Sequence, residues 1–285
     1  MAGLHRRVGA RSLEIGEKHE ALAVLWTPAF TFVAGVAGAC VGARVELENL
    51  RETRPMTLWQ SLSAGATQNG AEMSKLRVSI TMSLDGYVAG PGQDEENPLG
   101  SGGLDLHEWF FPLKAFREMH GEEGGDVNAS SAVVEERLAN VGATIMGRNM
   151  FGPVRGPWLD ESWRGWWGEN PPFHHQVFVL THHPREPLQM QGGTTFHFVS
   201  DGIESALRQA KDAAHGRNIS LPGGASVVNQ YLAARLVDEI DISISPLILG
   251  TGERLFAGLD RGMLKLKQIR AVDAPSVTHI KYEVG

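Results

Sequence analysis

Read from its apolar positions, the chain beyond residue 74 alternates short strand-like runs with stretches of helical period. Leu76 to Met82 predicts a strand. Ser83-Leu84-Asp85-Gly86 follows, where Asp-Gly tolerates the positive backbone angles of a tight turn before Tyr87-Val88-Ala89. Pro91 to Gly103 reads as a loop rich in Gly and acid, and His107 to Met119 as a short helix or ordered loop. Val133, Val134, Leu138 and Val141 recur at helical spacing and predict a helix over Ala132–Val141 that stops at Gly142. Ala143 to Met146 is a short buried strand that runs into Gly147-Arg148-Asn149-Met150-Phe151 as a strand-to-helix turn would. Further strands are expected at Gln176–Leu180, Thr195–Val199, Ile219–Leu221, Glu239–Ile244 and Leu247–Leu249, with helices at Gly202–Ala214 and Ser226–Leu236. Leu264–Ile269 and Val277–Val284 close the chain as an expected antiparallel hairpin. The alternation predicts an α/β fold with a mixed, mostly parallel sheet and an antiparallel end.

The first part of the chain lacks this rhythm. Residues 21–43 carry no charge and are long enough to span a bilayer, but Pro28 and an abundance of Ala and Gly weaken the run, and Glu14, Glu17 and Glu20 suit a signal segment poorly. Residues 44–74 mix charges with small polar residues and show no period. The division expected is a 1–73 extension (poorly ordered, targeting, or a mis-assigned start) and a 74–285 domain.

Composition narrows the function. A net charge of −7 with both signs scattered lacks the concentrated basic face that nucleic acid requires, so no nucleic-acid partner is expected. With only Cys40, neither an internal disulfide nor a cysteine-rich metal site can form, which suits a reducing compartment, and a cytoplasmic location with no membrane role for the domain is expected. The pairs His174-His175 and His182-His183 invite a metal, but neighbours along a strand point to opposite faces and partner ligands are missing, so no metal is expected.

Candidate chemistry concentrates at two turns. Gly223-Gly224 follows a strand and precedes a helix, letting backbone approach an anion at the helix N-terminus. Gly147-Arg148 has the same placement and adds a guanidinium able to fork onto phosphate oxygens. A P-loop is excluded because Gly142–Asn149 lacks the Lys and Ser/Thr, and no G-x-G-x-x-G follows a strand. Candidate proton donors are Asp85, Asp126, Glu135 and His107, and Trp158, Trp163, Trp166 and Trp167 either stack on a planar ligand or pack a long loop.

The segments SLDGYVAG (83–90), IMGRNMF (145–151), VFVLTHHPR (177–185), PGGASVVNQYLAARLVDEI (222–240) and PLILGTGERLF (246–256) together resemble the dihydrofolate reductase-like superfamily. Within it they are most similar to the C-terminal reductase domain of the bifunctional riboflavin-biosynthesis deaminase-reductase and its stand-alone bacterial relatives. The resemblance covers about Lys75 to Val284 and implies a three-layer fold with an eight- to nine-stranded sheet and NADPH across the strand ends. It implies that Gly147 and Arg148 meet adenosine-side phosphates, and that Thr181, His182 and Arg185 contact the ribose and its 2′-phosphate. Gly223, Gly224, Ala225 and Ser226 would lie beneath the pyrophosphate, Leu84 and Asp85 near the nicotinamide with Asp85 the catalytic candidate, and Trp166 and Trp167 at the substrate. The implied activity is NADPH-dependent reduction of a small heterocycle, a 5-amino-6-(5-phosphoribosylamino)uracil-like substrate, with dihydrofolate or pterin reduction or a non-catalytic nucleotide-binding module as alternatives, and a homodimer.

Overall fold

The computed structural model describes residues 74–152, 155–158 and 161–285; the apolar run at 21–43 and the rest of the 1–73 extension lie outside the described residues. In chain order the elements are β1 Leu76–Ser83, β2 Tyr87–Ala89, α1 Lys114–Met119, α2 Ala129–Leu138, β3 Val141–Gly147, α3 Arg148–Phe151, β4 Gln176–Leu180, β5 Leu188–Gln189, β6 Thr195–Val199, α4 Ile203–Ala214, β7 Asn218–Leu221, α5 Ala225–Ala233, β8 Glu239–Ser245, β9 Glu253–Arg254, β10 Leu266–Ala274 and β11 Val277–Val284. The main sheet has nine strands in the order β10-β11-β8-β1-β7-β3-β4-β6-β5, and β2 pairs with β9 apart from it. The strands from β8 to β6 run parallel, while β11, β10 and the short β5 pair antiparallel at the two ends.

Strand β4 shows why the central strands read as continuous apolar runs. Its Phe178 faces the cluster with Ala206, Leu207 and Ala210 of α4, while Val177 and Val179 face the opposite cluster with Phe151, Trp167 and Phe196. Covered on both sides, each such side chain contributes about 1.5–3 kcal/mol on burial. Helices α4 and α5 pack on one face of the sheet, and the tryptophan-rich loop lies on the other.

β1 and β8 differ, because their alternating polar residues are also buried. The register pairs Arg77 with Glu239, Ser79 with Asp241 and Thr81 with Ser243, and β11 adds Lys281 beside Asp241 and His279 beside Ser243. Charges on this face are paired: Lys281 Nζ lies 2.7 Å from both Glu239 and Glu136, and Arg137 and Arg270 each lie 2.6 Å from Asp241. His279 is fully buried, its Nε2 2.9 Å from Ser130 Oγ and its Nδ1 2.8 Å from Ser243 Oγ, with Trp109 edge-on to the ring. Such a face survives burial because its polar groups find partners within it.

Several expected boundaries move. The helix expected at Ala132–Val141 begins at Ala129, where Asn128 and Ser131 form a capping box, and ends at Leu138. Gly142 is not its stop but part of β3; a Cβ there would sit 2.6 Å from the Ala214 carbonyl oxygen, so glycine permits close contact with the end of α4. Leu247–Leu249 forms no strand, because its backbone is tied to the 83–86 turn: Leu84 N donates to Leu247 O and Leu249 N to Asp85 Oδ1. The helix expected at Ser226–Leu236 ends at Ala233, and Arg235 beyond it has φ 56°.

Candidate functional site

The carboxyl ends of β1, β3, β4, β6 and β7 open into a cleft of about 680 Å³, the position where open α/β sheets accept ligands. Two glycine turns form its floor. Gly147 N donates to Gly223 O at 3.2 Å, and a Cβ on Gly147 would lie 2.9 Å from Val227 Cγ2, so only glycine lets β3 approach α5 this closely. Gly223 has φ 149°, and its peptide bond to Gly224 is cis. Gly224 caps α5, its carbonyl accepting from Val227 N and Val228 N, and a Cβ there would meet no protein atom within 4 Å. Backbone is therefore bare where the helix presents its first N–H groups and its positive dipole end to the cleft.

The strand-end turn after β4 supplies hydroxyl and imidazole. Thr181 N donates to Val199 O at 3.0 Å, and His183 N donates to Thr181 Oγ1 at 3.1 Å, which fixes the 181–183 turn on the wall. Arg148 enters from α3 with its guanidinium 3.0 Å from the centroid of the Trp158 ring, and Arg185 lies 4.8 Å from the same centroid. Burial, with Arg185 adding like charge, pulls Arg148 down to about 10, still fully cationic at neutral pH. Its Nη1 donates to Gly156 O at 3.3 Å, whereas Nε and Nη2 are buried without an acceptor among the described residues. Arginines 148 and 155 line the cleft with Glu253 the one carboxylate among its described wall residues, while Arg137, also on the wall, is paired with Asp241. This balance favours an anionic ligand.

Of the residues expected at a site, Gly147, Arg148, Thr181, His182, Gly223, Gly224, Ala225, Ser226 and Trp166 all line this cleft. Leu84, Asp85, Arg185 and Trp167 are not on its wall. Leu84 is 66% exposed on the turn. The Asp85 carboxylate accepts from Ser83 Oγ at 2.6 Å, from Leu249 N at 3.1 Å and from Gly250 N at 2.7 Å, and the Ser83 bond leads in holding its pKa below the usual carboxylate value. Its geometry is that of a turn lock joining 83–86 to 247–250. Trp167, expected at the substrate, is instead buried, stacked on Phe196 at 5.6 Å and edge-on to Phe173. The aromatic loop thus packs the core with Trp167 and offers Trp166 to the cleft.

Among the proton-donor candidates only His107 reaches the wall; Asp126 and Glu135 are exposed elsewhere. Burial pushes His107 down to about 4 against a smaller opposing effect of the Gly103 backbone, so at neutral pH it is an uncharged imidazole, and its Nδ1 makes no hydrogen bond of normal geometry among the described residues. It shares its end of the cleft with Trp109, whose Nε1 is likewise unpartnered, with Val134, Arg137 and Leu138 of α2, and with Ser79 and Thr81 of β1. His107 is the one residue at this end that its chain position had suggested; Trp109, Arg137 and the β1 residues Ser79 and Thr81 had not been expected there. The available signal was the alternation of small polar residues in β1, which marks a polar wall once something covers it. Among the described residues, no three His, Cys, Asp or Glu side chains converge as metal ligands, and no helix is long and apolar enough to cross a membrane.

The family model of the RibD C-terminal domain matches residues 74–278, and the chain belongs to that family. Two uncharacterized proteins of Bacillus subtilis (strain 168) are similar in part: YyaP is 30% identical over 92 residues, covering 31% of this chain, and YwjB is 34% identical over 71 residues, covering 25%. The aligned stretches span 48% and 40% of those two proteins, about half their length or less. A Shewanella sp. PV-4 protein named for riboflavin biosynthesis shares the fold at 20% identity, with a TM-score of 0.50 over 74% of this chain and 99% of its own. The fold is the α/β one expected, a mixed and mostly parallel sheet that ends in an antiparallel C-terminal hairpin.

Proposed function

We propose that this chain is an NADPH-dependent reductase that reduces a small heterocycle of the ribosylaminopyrimidine type, 5-amino-6-(5-phosphoribosylamino)uracil being the named representative. The observation that carries the reading is the bonded pair of glycine turns, Gly147 to Gly223, at the foot of a cleft walled by Arg148 and the 181–183 turn. A dinucleotide phosphate suits that donor set: bare backbone at Gly224 and the α5 N-terminus for the pyrophosphate, and a guanidinium with unsatisfied N–H groups for a further phosphate. When bound, the nicotinamide supplies the hydride. The chain's own residues hold the phosphates, orient the substrate between β1 and α2, and exclude water with the 107–110 segment. His107, the imidazole on the wall at that end, would hold the proton there.

Membership of a reductase family supports oxidoreductase chemistry over a non-catalytic module. Folate reduction is less well supported, because the α2 residues facing the cleft are Val134, Arg137 and Leu138, with no carboxylate among them. The test is NADPH oxidation at 340 nm by the full chain with the ribosylaminopyrimidine, with dihydrofolate and with no acceptor. The expected result is acceptor-dependent oxidation with the pyrimidine. Preference for dihydrofolate, or NADPH binding without turnover on any acceptor, would overturn the substrate assignment, and absence of NADPH binding would overturn the cofactor assignment. A homodimer is part of the same reading, checked by sedimentation.

A further inference from the structure

Two guanidiniums converge on one indole. Arg148 and Arg185 lie 3.0 and 4.8 Å from the Trp158 centroid, and like charges that close repel each other. A carboxylate on Arg148 would relieve the repulsion there, but it would also occupy its N–H groups and compete with an incoming phosphate. Arg185 Nη2 donates to Glu161 O, and for Arg148 the π face relieves part of the repulsion while leaving its N–H groups in place. Arg148 shows this outcome, since its Nε and Nη2 remain without acceptors among the described residues.

Trp158 is itself held on several sides. Its Nε1 donates to His183 O at 2.8 Å, and its ring meets Phe151 and Phe198 edge-on at 6.0 and 5.1 Å. Phe151 is fully buried, so the indole is anchored to the core at one side and to the 181–183 turn at its nitrogen. Arg148, His182 and His183, which all line the cleft, therefore depend on the placement of one ring that is not itself on the wall.

We propose that Trp158 is a positioning residue for a ribose 2′-phosphate, holding the guanidinium of Arg148 beside the 181–183 turn before the phosphate arrives. The proposal rests on the NADPH reading above. It predicts that Trp158 sets discrimination between phosphorylated and unphosphorylated cofactor rather than cofactor binding in general.

The test uses the full chain and measures Kd for NADPH, NADH, adenosine 2′,5′-bisphosphate and adenosine 5′-monophosphate by calorimetry. Trp158→Leu is expected to weaken NADPH and the bisphosphate about 10-fold and the other two less than about 2-fold. Trp158→Phe, which keeps a weaker π face, is expected to lose about 3-fold on the same two ligands, and it serves where the leucine variant does not fold. A purely structural role would move all four ligands together, and that result overturns the proposal. If the unaltered protein prefers NADPH and Arg148→Ala removes the preference while the Trp158 variants keep it, Trp158 has no such role and the NADPH reading stands. If the unaltered protein does not discriminate against NADH, the NADPH reading fails and the proposal falls with it.

Discussion

Replacing His279 with glutamine should flatten the acid limb of the protein's stability curve, and the effect can be worked from the buried polar face of the sheet. The ring is fully buried between Ser130 and Ser243, and burial, reinforced by the charges of Arg137 and Arg270, pushes it from 6.5 down to about 4. A depressed histidine pKa means that the fold holds the neutral ring. As pH falls below about 6.5, the unfolded chain takes up the proton first, so the stability is present in full above that value, drains between about 6.5 and about 4, and then levels off. At pH 5 the unfolded ring is almost wholly protonated and the folded one only about a tenth, a ratio of roughly 30 that corresponds to about 2 kcal/mol. Urea unfolding at intervals between pH 7.5 and pH 5 measures this directly. The expected outcome is that the native protein loses about 2 kcal/mol more over this range than His279→Gln, whose amide is polar but does not titrate. His107 and His175 are also held at about 4 but titrate in both proteins and cancel from the difference. Parallel curves for the two proteins would refute the reasoning.

Other predictions concern the cleft and the aromatic loop. Arg148→Ala should raise Kd for NADPH roughly 10- to 100-fold, the loss of one or two charge-assisted hydrogen bonds, with little change for NADH; equal losses in calorimetry would remove the 2′-phosphate assignment. Gly224→Val should abolish cofactor binding while the circular dichroism spectrum and melting temperature stay close to native, because its side chain would enter space free of protein atoms; retained affinity would refute a phosphate at that turn. Trp167→Ala should lose about 3–5 kcal/mol in urea unfolding, as expected for emptying a core position, whereas Trp166→Ala, at a partly buried position on the cleft wall, should lose less and weaken ligand binding as well.

Much of the fold was legible in the chain because central strands in a parallel sheet are covered on both faces. Gln176–Leu180 and Thr195–Val199 match the expected runs residue for residue, and α4 begins one residue after the start read from its apolar face. The glycine turns were legible for a related reason: a glycine pair between strand and helix marks a place where backbone must approach something closely. Boundaries failed where a local signal had two readings. Gly142 resembles a helix stop, yet it serves a contact with Ala214, distant in the chain.

Sequence by itself determined the alternation of elements, the absence of a P-loop or standard dinucleotide fingerprint, and the two turns where an anion could bind, since each depends on residues close together in the chain. Tertiary structure decided which residues share a site. It assigned Asp85 to a lock on residues 249 and 250, Trp167 to the core and Trp166 to the cleft, and it brought Arg148 and Arg185 onto the ring of Trp158. It also buried the polar alternation of β1 and β8 under α2, which a strand pattern alone would assign to solvent. The reason is the same in each case: packing and electrostatics act through space, and an Arg, Asp or Trp of given chain position has no fixed role until distant segments supply its partners.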